Sequence, residues 1–306
     1  MPPQEEAGKN NVSLVASTYK QKISIKDERF DIEKLADYTL CLQISDHDFN
    51  VCAIDKRENR CLLVEQYEIE QIYSAAQIIE QLELIYDDHH VLQAGYWGNI
   101  IVAFKNKKFS FIPASLFDEN DIPNYLNLNC ELDLTIESVG FTKHPNLDLI
   151  NTFAYSTSLS DWLTAKYPRK TINFHHQTSS LITGVLHSAN KNGEKEMYIY
   201  CDEQNLNIVI TQDKELVYSN LFEYKSAEDL TYFAMFVIHE LGLNPEKVPV
   251  TLWGTIDQTS IHFTRLFKFI RFLSFGKRPE SLKFSYHFDE AFEHQFFDIY
   301  NLHLCN

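Results

Sequence analysis

The residues best placed for chemistry are the acids of two short turns, Ser45-Asp46-His47-Asp48 and Asp202-Glu203-Gln204-Asn205, each set between apolar runs. Carboxylates in such turns suit a divalent cation, and Asp46 and Asp202 are the candidate ligands. The competing reading is conformational, because Asp, Asn and Ser are favoured in hairpin turns for their local backbone hydrogen bonds. Neither turn contains glycine, whose missing Cβ would let backbone N–H groups close on a phosphate. Other constellations are incomplete. His239-Glu240 opens an H-E-x-x-H pattern, but Leu243 stands where the second histidine belongs. His89-His90 and His175-His176, with His187, could gather at a metal, though neighbours on a strand point to opposite faces. Ser179-Ser180 and the serines from Ser156 to Ser160 lack a G-x-S-x-G elbow and read as caps or turn residues. Tyr96-Trp97-Gly98 marks either a ligand-facing bend or ordinary aromatic packing.

The elements that hold the two acidic turns occur twice. Residues 40–68 and 197–224 each give an apolar strand, the acidic turn, an alternating strand (Phe49, Val51, Ala53; Leu206, Ile208, Ile210), a charged turn and a third strand. An amphipathic helix follows each copy, opened by Ser74-Ala75-Ala76-Gln77 in one and by Ser226-Ala227-Glu228-Asp229 in the other. The second helix carries Leu230, Phe233, Ala234, Val237, Ile238 and Leu241 on one face and stops at Gly242 and Pro245. Strands are expected at 99–104, 109–112, 149–154, 171–174, 248–253 and 282–286. Helices are expected at 158–167, 178–188, 261–273 and 290–300, with a short one within 118–126. Strands alternating with helices define an α/β protein. The natural division is a flexible tail at 1–24, where 12–19 could add an edge strand, then a first domain at 25–192 and a second at 193–306.

The chain has 306 residues, 44% of them hydrophobic, and a formal charge of −16, which suits a packed protein and disfavours wrapping by nucleic acid or an anionic membrane. None of its six cysteines forms a C-x-x-C pair, so a zinc ribbon and a thioredoxin-like site are not suggested. No apolar run reaches the roughly 18 residues of a membrane span. Residues 1–11 hold no apolar segment of the signal-peptide kind, and a cytoplasmic location is expected. One stretch opposes the acidic background: Arg265, Lys268, Arg271, Lys277, Arg278 and Lys283 stand against Glu280 alone, interleaved with Phe267, Phe269, Phe272 and Phe275. Such a segment can clamp RNA or an acidic protein partner, with Arg265, Lys268 and Arg271 as the contacts. As an amphipathic helix it would instead turn Leu266, Phe269, Ile270 and Leu273 inward and leave its cations in water.

Two copies of three strands, helix, strand and helix, joined by the small-residue helix at 178–188, resemble the actin-like ATPase superfamily, which includes Hsp70, sugar kinases and the pilus-assembly protein PilM. The YNLHLC ending (300–305), the FSFIPASLF segment (109–117) and the overall layout resemble one branch, the uncharacterised bacterial family DUF3822 of Bacteroidetes. The resemblance implies a duplicated actin-like (ribonuclease H-like) fold, with two domains that each carry a mixed five-stranded sheet and flanking helices. It also implies a nucleotide cleft with a D-x-G-x turn in each half and an L-x-G-G motif beside the adenosine. This chain departs at each point: both turns lack glycine, and Leu252-Trp253-Gly254-Thr255 keeps one. The expectation is a vestigial cleft marked by Asp46, Asp202 and Gly254, with no cofactor and no catalysis, in a protein that binds another protein. The alternatives are a divergent ATPase using Mg-ATP at Asp46 and Asp202, and an RNA-contacting accessory protein.

Overall fold

A computed structural model describes residues 19–305, apart from 71, 73, 145 and 146. The first repeat is built from β2 (Tyr38–Ile44), β3 (Asp48–Asp55), β4 (Arg60–Ile69), α1 (Ala75–Asp88) and β5 (Asn99–Phe104). After an insertion the same sheet receives β9 (Ile172–His176), followed by α4 (Gln177–Ser188). The second repeat runs β10 (Lys195–Asp202), β11 (Asn205–Gln212), β12 (Glu215–Glu223), α5 (Ala227–Glu240), β13 (Pro249–Gly254), α6 (Ile261–Leu266) and β14 (Phe272–Phe275), and α7 (Phe297–Asn301) closes the chain.

The strand orders confirm the duplication. The second sheet is β12-β11-β10-β13-β14, and the first is β4-β3-β2-β5-β9 with β1 (Tyr19–Lys26) added outside β4. In both, the first three strands pair antiparallel and the last two join parallel. Parallel joins of this kind require helical crossovers, which bury both faces of the sheet, and β2 is accordingly buried along its whole length. Both crossover helices are capped as their sequences suggest: Gln77 N donates to Ser74 Oγ at 3.4 Å, and Asp229 N donates to Ser226 Oγ at 3.1 Å.

Several expectations are corrected. Among the described residues the first sheet has six strands rather than five, because Tyr19–Ser24, assigned to the tail, lie in β1; residues 1–18, including all but Tyr19 of the suggested edge strand, fall outside the described residues. The expected helix at 261–273 stops at Leu266, and Phe272–Phe275 becomes the fifth strand of the second sheet, where alternation outcompetes helical spacing. The segment at 282–286 makes only an isolated bridge, Arg60 with Lys283. The last helix is limited to Phe297–Asn301, since Phe296 adopts φ of +62°, a left-handed conformation that a helix cannot pass through. The insertion contains β6 (Phe109–Pro113), α2 (Ile122–Asn127), β7 (Glu137–His144), β8 (Leu149–Ser156) and α3 (Thr157–Lys166), and its strands form a separate sheet, β6-β8-β7. Glu137–His144 gave no strand signal, as Gly140 and Lys143 interrupt its apolar pattern.

Packing crosses the boundary between the repeats. Leu282, Phe288, Phe296, Ile299, Tyr300 and Leu302 form one core with Cys41, Cys52, Ile54 and Ile101 on the back of the first sheet. The bridging helix α4 runs against α7 so closely that a Cβ on Gly184 would lie 2.4 Å from Asn301 Nδ2, which accounts for the small residues of the bridge.

Candidate functional site

The two acidic turns face one another across a cleft of about 820 Å³. Both are two-residue hairpin turns: Ser45 N donates to Asp48 O in one, and Asp202 pairs with Asn205 in the other. By position, Asp46 therefore matches Glu203, and Asp202 matches Ser45. Asp202 lies in the cleft floor, buried. Asp46 sits on the rim, its carboxylate largely in water and 2.8 Å from His47 Nδ1. The buried carboxylate contributed by the first turn is Asp48.

Between the turns stands Lys105, the residue that follows β5. Its backbone N donates to Ile44 O, which fixes the chain beside the first turn, and its ammonium reaches Asp48 Oδ2 at 2.7 Å and Asp202 Oδ2 at 2.6 Å. Asp48 also accepts from Ser45 Oγ at 2.5 Å and from Asn50 Nδ2 at 3.0 Å. Burial opposes ionisation of the lysine, but Asp202 and Asp48 outweigh it and hold the ammonium charged above its ordinary range. Burial likewise pushes both carboxyls up. Lys105 overcomes this at Asp48, which is held below the usual carboxylate range, whereas the charge of Asp48 leaves Asp202 above it. At His47 burial favours the neutral ring, yet Asp46, Asp48 and Asp202 together raise its affinity for the proton. Under this layer the buried Asp298 of α7 accepts from Gln43 Nε2 at 2.7 Å and Gln177 Nε2 at 2.6 Å, so the C-terminal helix braces the floor.

His47, Asp48 and Asp202 offer ligand atoms within 4.8 Å of one another, a donor set suited to a cation. The Lys105 ammonium already pairs with two of the three, Asp48 and Asp202. The glycine of the reduced L-x-G-G motif is occupied by backbone packing. Gly254, at φ of +97°, has the carbonyl of Cys201 where a Cβ would lie, 1.9 Å away, and does not line the cleft. Its N–H donates to His294 O at 2.9 Å, while His294 Nε2 lies 2.7 Å from Ile256 O and its ring packs 4.4 Å from that of Phe275. The residues present therefore do not fit a magnesium-bound nucleotide of the kind the fold accommodates.

The remaining candidates are dispersed. His89 Nε2 lies 2.5 Å from Glu65 Oε2, His175 Nδ1 2.8 Å from Thr142 Oγ1, His176 Nε2 3.1 Å from the Asn106 carbonyl, and His187 is exposed. Ser179 and Ser180 are buried partners of Asn151 and of the Gln177 carbonyl; Trp97 is fully buried, and Tyr96 is exposed. Arg265 and Arg271 pair with Glu228 and Glu246 at 2.6 and 3.6 Å, Lys268 is exposed, and Phe267, Phe269 and Phe272 are each about half exposed on the same edge. Phe269, expected inward, is thus turned out, and this edge does not line the cleft. The sequence reading missed Lys105, Asp48, Asp298 and His294. The available signal for Lys105 was its position, a cation at the carboxyl end of a strand buried on both faces.

A duplicated α/β body with a cleft between its halves, hairpin turns meeting in its floor and a helix bridging the repeats has the actin-like ATPase fold. The chain belongs to the DUF3822 family, described as proteins of unknown function, which it matches over residues 27–273. It is similar over 90% of its length to 99% of a Bacteroides thetaiotaomicron VPI-5482 protein with actin-like ATPase fold and unknown function, at TM-score 0.76 and 20% identity. It is also similar over 87% of its length to 97% of a chain in the PilM-PilN type IV pilus biogenesis complex, at TM-score 0.54 and 9% identity. No curated protein matches it in sequence. Among the described residues no helix is long and apolar enough to cross a membrane.

Proposed function

We propose that this protein is a non-catalytic member of the actin-like fold that acts by binding another protein in the cytoplasm, with two domains that meet at 192–193. The observation that carries this reading is the Lys105 ammonium held by Asp48 and Asp202 where the two phosphate turns meet. Catalysis of phosphoryl transfer in such a cleft needs backbone donors and a metal on the phosphates. Here turns without glycine and a resident ammonium stand in their place. PilM, of similar fold, is found in a complex with PilN, which supports association as a use of the fold. The contact assigned to a partner is the edge around Lys268, Arg265 and Arg271 with Phe267, Phe269 and Phe272. Purified protein should release no phosphate from Mg-ATP above background, and its melting temperature should not rise with Mg-ATP. Turnover that disappears in Asp202→Ala would overturn the proposal.

A further inference from the structure

We propose that Lys105 is the resident cation of a three-ligand metal site, and that it holds the two halves of the cleft together without metal or nucleotide. The inference rests on the non-catalytic reading and adds what keeps the cleft in one arrangement. Asp48 and His47 come from the first repeat and Asp202 from the second, so whatever cation sits among them ties the repeats to each other. Two further pairs cross the same gap, His47 Nε2 to Glu203 Oε2 at 3.5 Å and Lys107 Nζ to Glu223 Oε2 at 2.6 Å. The Lys107 pair is exposed at both ends, where water screens it, and the His47 contact is long and shared with a half-exposed Glu203; the Lys105 pairs are buried at both ends, where water does not screen them. A soluble cation could be lost or exchanged as conditions changed. A tethered ammonium cannot leave, so domain closure becomes a fixed property of the chain. With the ammonium withdrawn, two carboxylates and an imidazole whose ligand atoms lie within 4.8 Å of one another are left as a donor set for Mn²⁺.

The test compares wild type, Lys105→Ala and Lys105→Ala/Asp202→Asn, using Mn²⁺ alone as the probe, read by the fall in the free-ion electron paramagnetic resonance signal and by thermal melting. Wild type should take up no Mn²⁺ and show no shift in melting temperature. Lys105→Ala should melt lower, bind about one Mn²⁺ and recover several degrees with it, and the added Asp202→Asn should cut binding by at least tenfold. If Lys105→Ala does not fold, Lys105→Gln is taken through the same measurements, and both are refolded with Mn²⁺ present. Wild type binding Mn²⁺ as well as the variants, or variants that neither bind it nor regain stability or folding with it, would overturn the inference. Phosphate release from Mg-ATP by wild type would instead defeat the non-catalytic reading, so the two failures are distinguishable.

Discussion

Lys105 and Asp48 under the cleft, and His144, His175, His176 and His303 around α4 and the C-terminal turn, are all withdrawn from water, each at most 8% exposed. The first pair is nevertheless held ionised and the four histidines are held neutral, each lowered to about 4. The difference lies in what each faces. Lys105 meets carboxylates at 2.6 and 2.7 Å. At His144 burial acts without a compensating partner; at His175 burial dominates and the neighbouring His144 adds to it; at His176 and His303 burial outweighs the carbonyls of Asn106 and Tyr300. Burial thus sets the cost of a charge, and the nearest partner decides whether it is kept. One region behaves as an internal salt, the other as a set of protons withheld.

The largest expected effect is therefore acid instability that begins at the histidines. Their folded values lie below the ordinary 6.5, so the unfolded chain binds protons that the folded chain refuses. The stability they confer is complete above about pH 6.5 and is lost as pH falls toward 4, by about 1.4 kcal/mol per pH unit for each histidine. With four acting together, a marginally stable protein should unfold within that window. Asp48, lowered instead from the usual carboxylate range, loses its contribution only at still lower pH, and Asp202, raised, works in the opposite sense. Urea unfolding from pH 7.5 down to 4.5 measures this, and a midpoint that does not move across the range would remove the contrast between the regions.

Next in size is the removal of the cation from the salt. Lys105→Met leaves two buried carboxylates facing each other and should cost about 3–5 kcal/mol at neutral pH. Adding Asp48→Asn and Asp202→Asn removes the uncompensated charge and should return part of the loss, although each added change removes a partner of Lys105 in the wild type. This non-additivity is the signature of a coupled site. Equal or greater loss in the triple variant would mean that packing, rather than charge, holds Lys105 in place. A smaller change separates the histidines from one another. His144→Gln should flatten the acid slope by one histidine's share, about 1.4 kcal/mol per pH unit, and an unchanged slope would show that His144 does not titrate on unfolding.

Local pattern carried the repeat well, because strand alternation and the Ser74 and Ser226 caps are short-range features. The cleft was less accessible. Asp202 was visible as an acid ending an apolar strand, but Asp46 and Asp48 are two apart in one turn, and only the pairing of Ser45 with Asp48 tells which points inward. Lys105 is 57 residues from Asp48, and Asp298 is 255 from Gln43. Such contacts are fixed by strand order and by the return of the C-terminus across the first sheet, neither of which is written in any local window. The same cause explains the error at 261–273. The segment FLSF has helical and strand readings, and an empty edge beside β13 selected the strand.

The smallest expected effect on stability concerns the edge made by α6 and β14. Arg265 and Arg271 already have acidic neighbours in Glu228 and Glu246; the Arg271 pair is well exposed to water and the Arg265 pair partly so, and surface pairs of this kind contribute little. Lys268 stands free of the core on a turn between Leu266 and Ile270, whose side chains are buried and hold the turn in place. Reversing the charge in Lys268→Glu/Arg271→Glu should therefore change stability by no more than about 0.5 kcal/mol, as for surface substitutions in general. If this edge receives an acidic partner, the same variant should lose most of its capture of that partner, and wild-type capture should weaken as salt rises, since exposed charges are screened over about 10 Å at 0.1 M. Phe267 and Phe272 would supply the apolar contact, so Phe272→Ser should weaken capture at every salt concentration while the charge reversal acts most strongly at low salt. A charge-reversed protein that retains its partners and its melting temperature would leave Lys268 and Arg271 without a role in association, and retained capture in Phe272→Ser would do the same for the exposed phenylalanines. One that unfolds would assign the edge to the core of the second sheet.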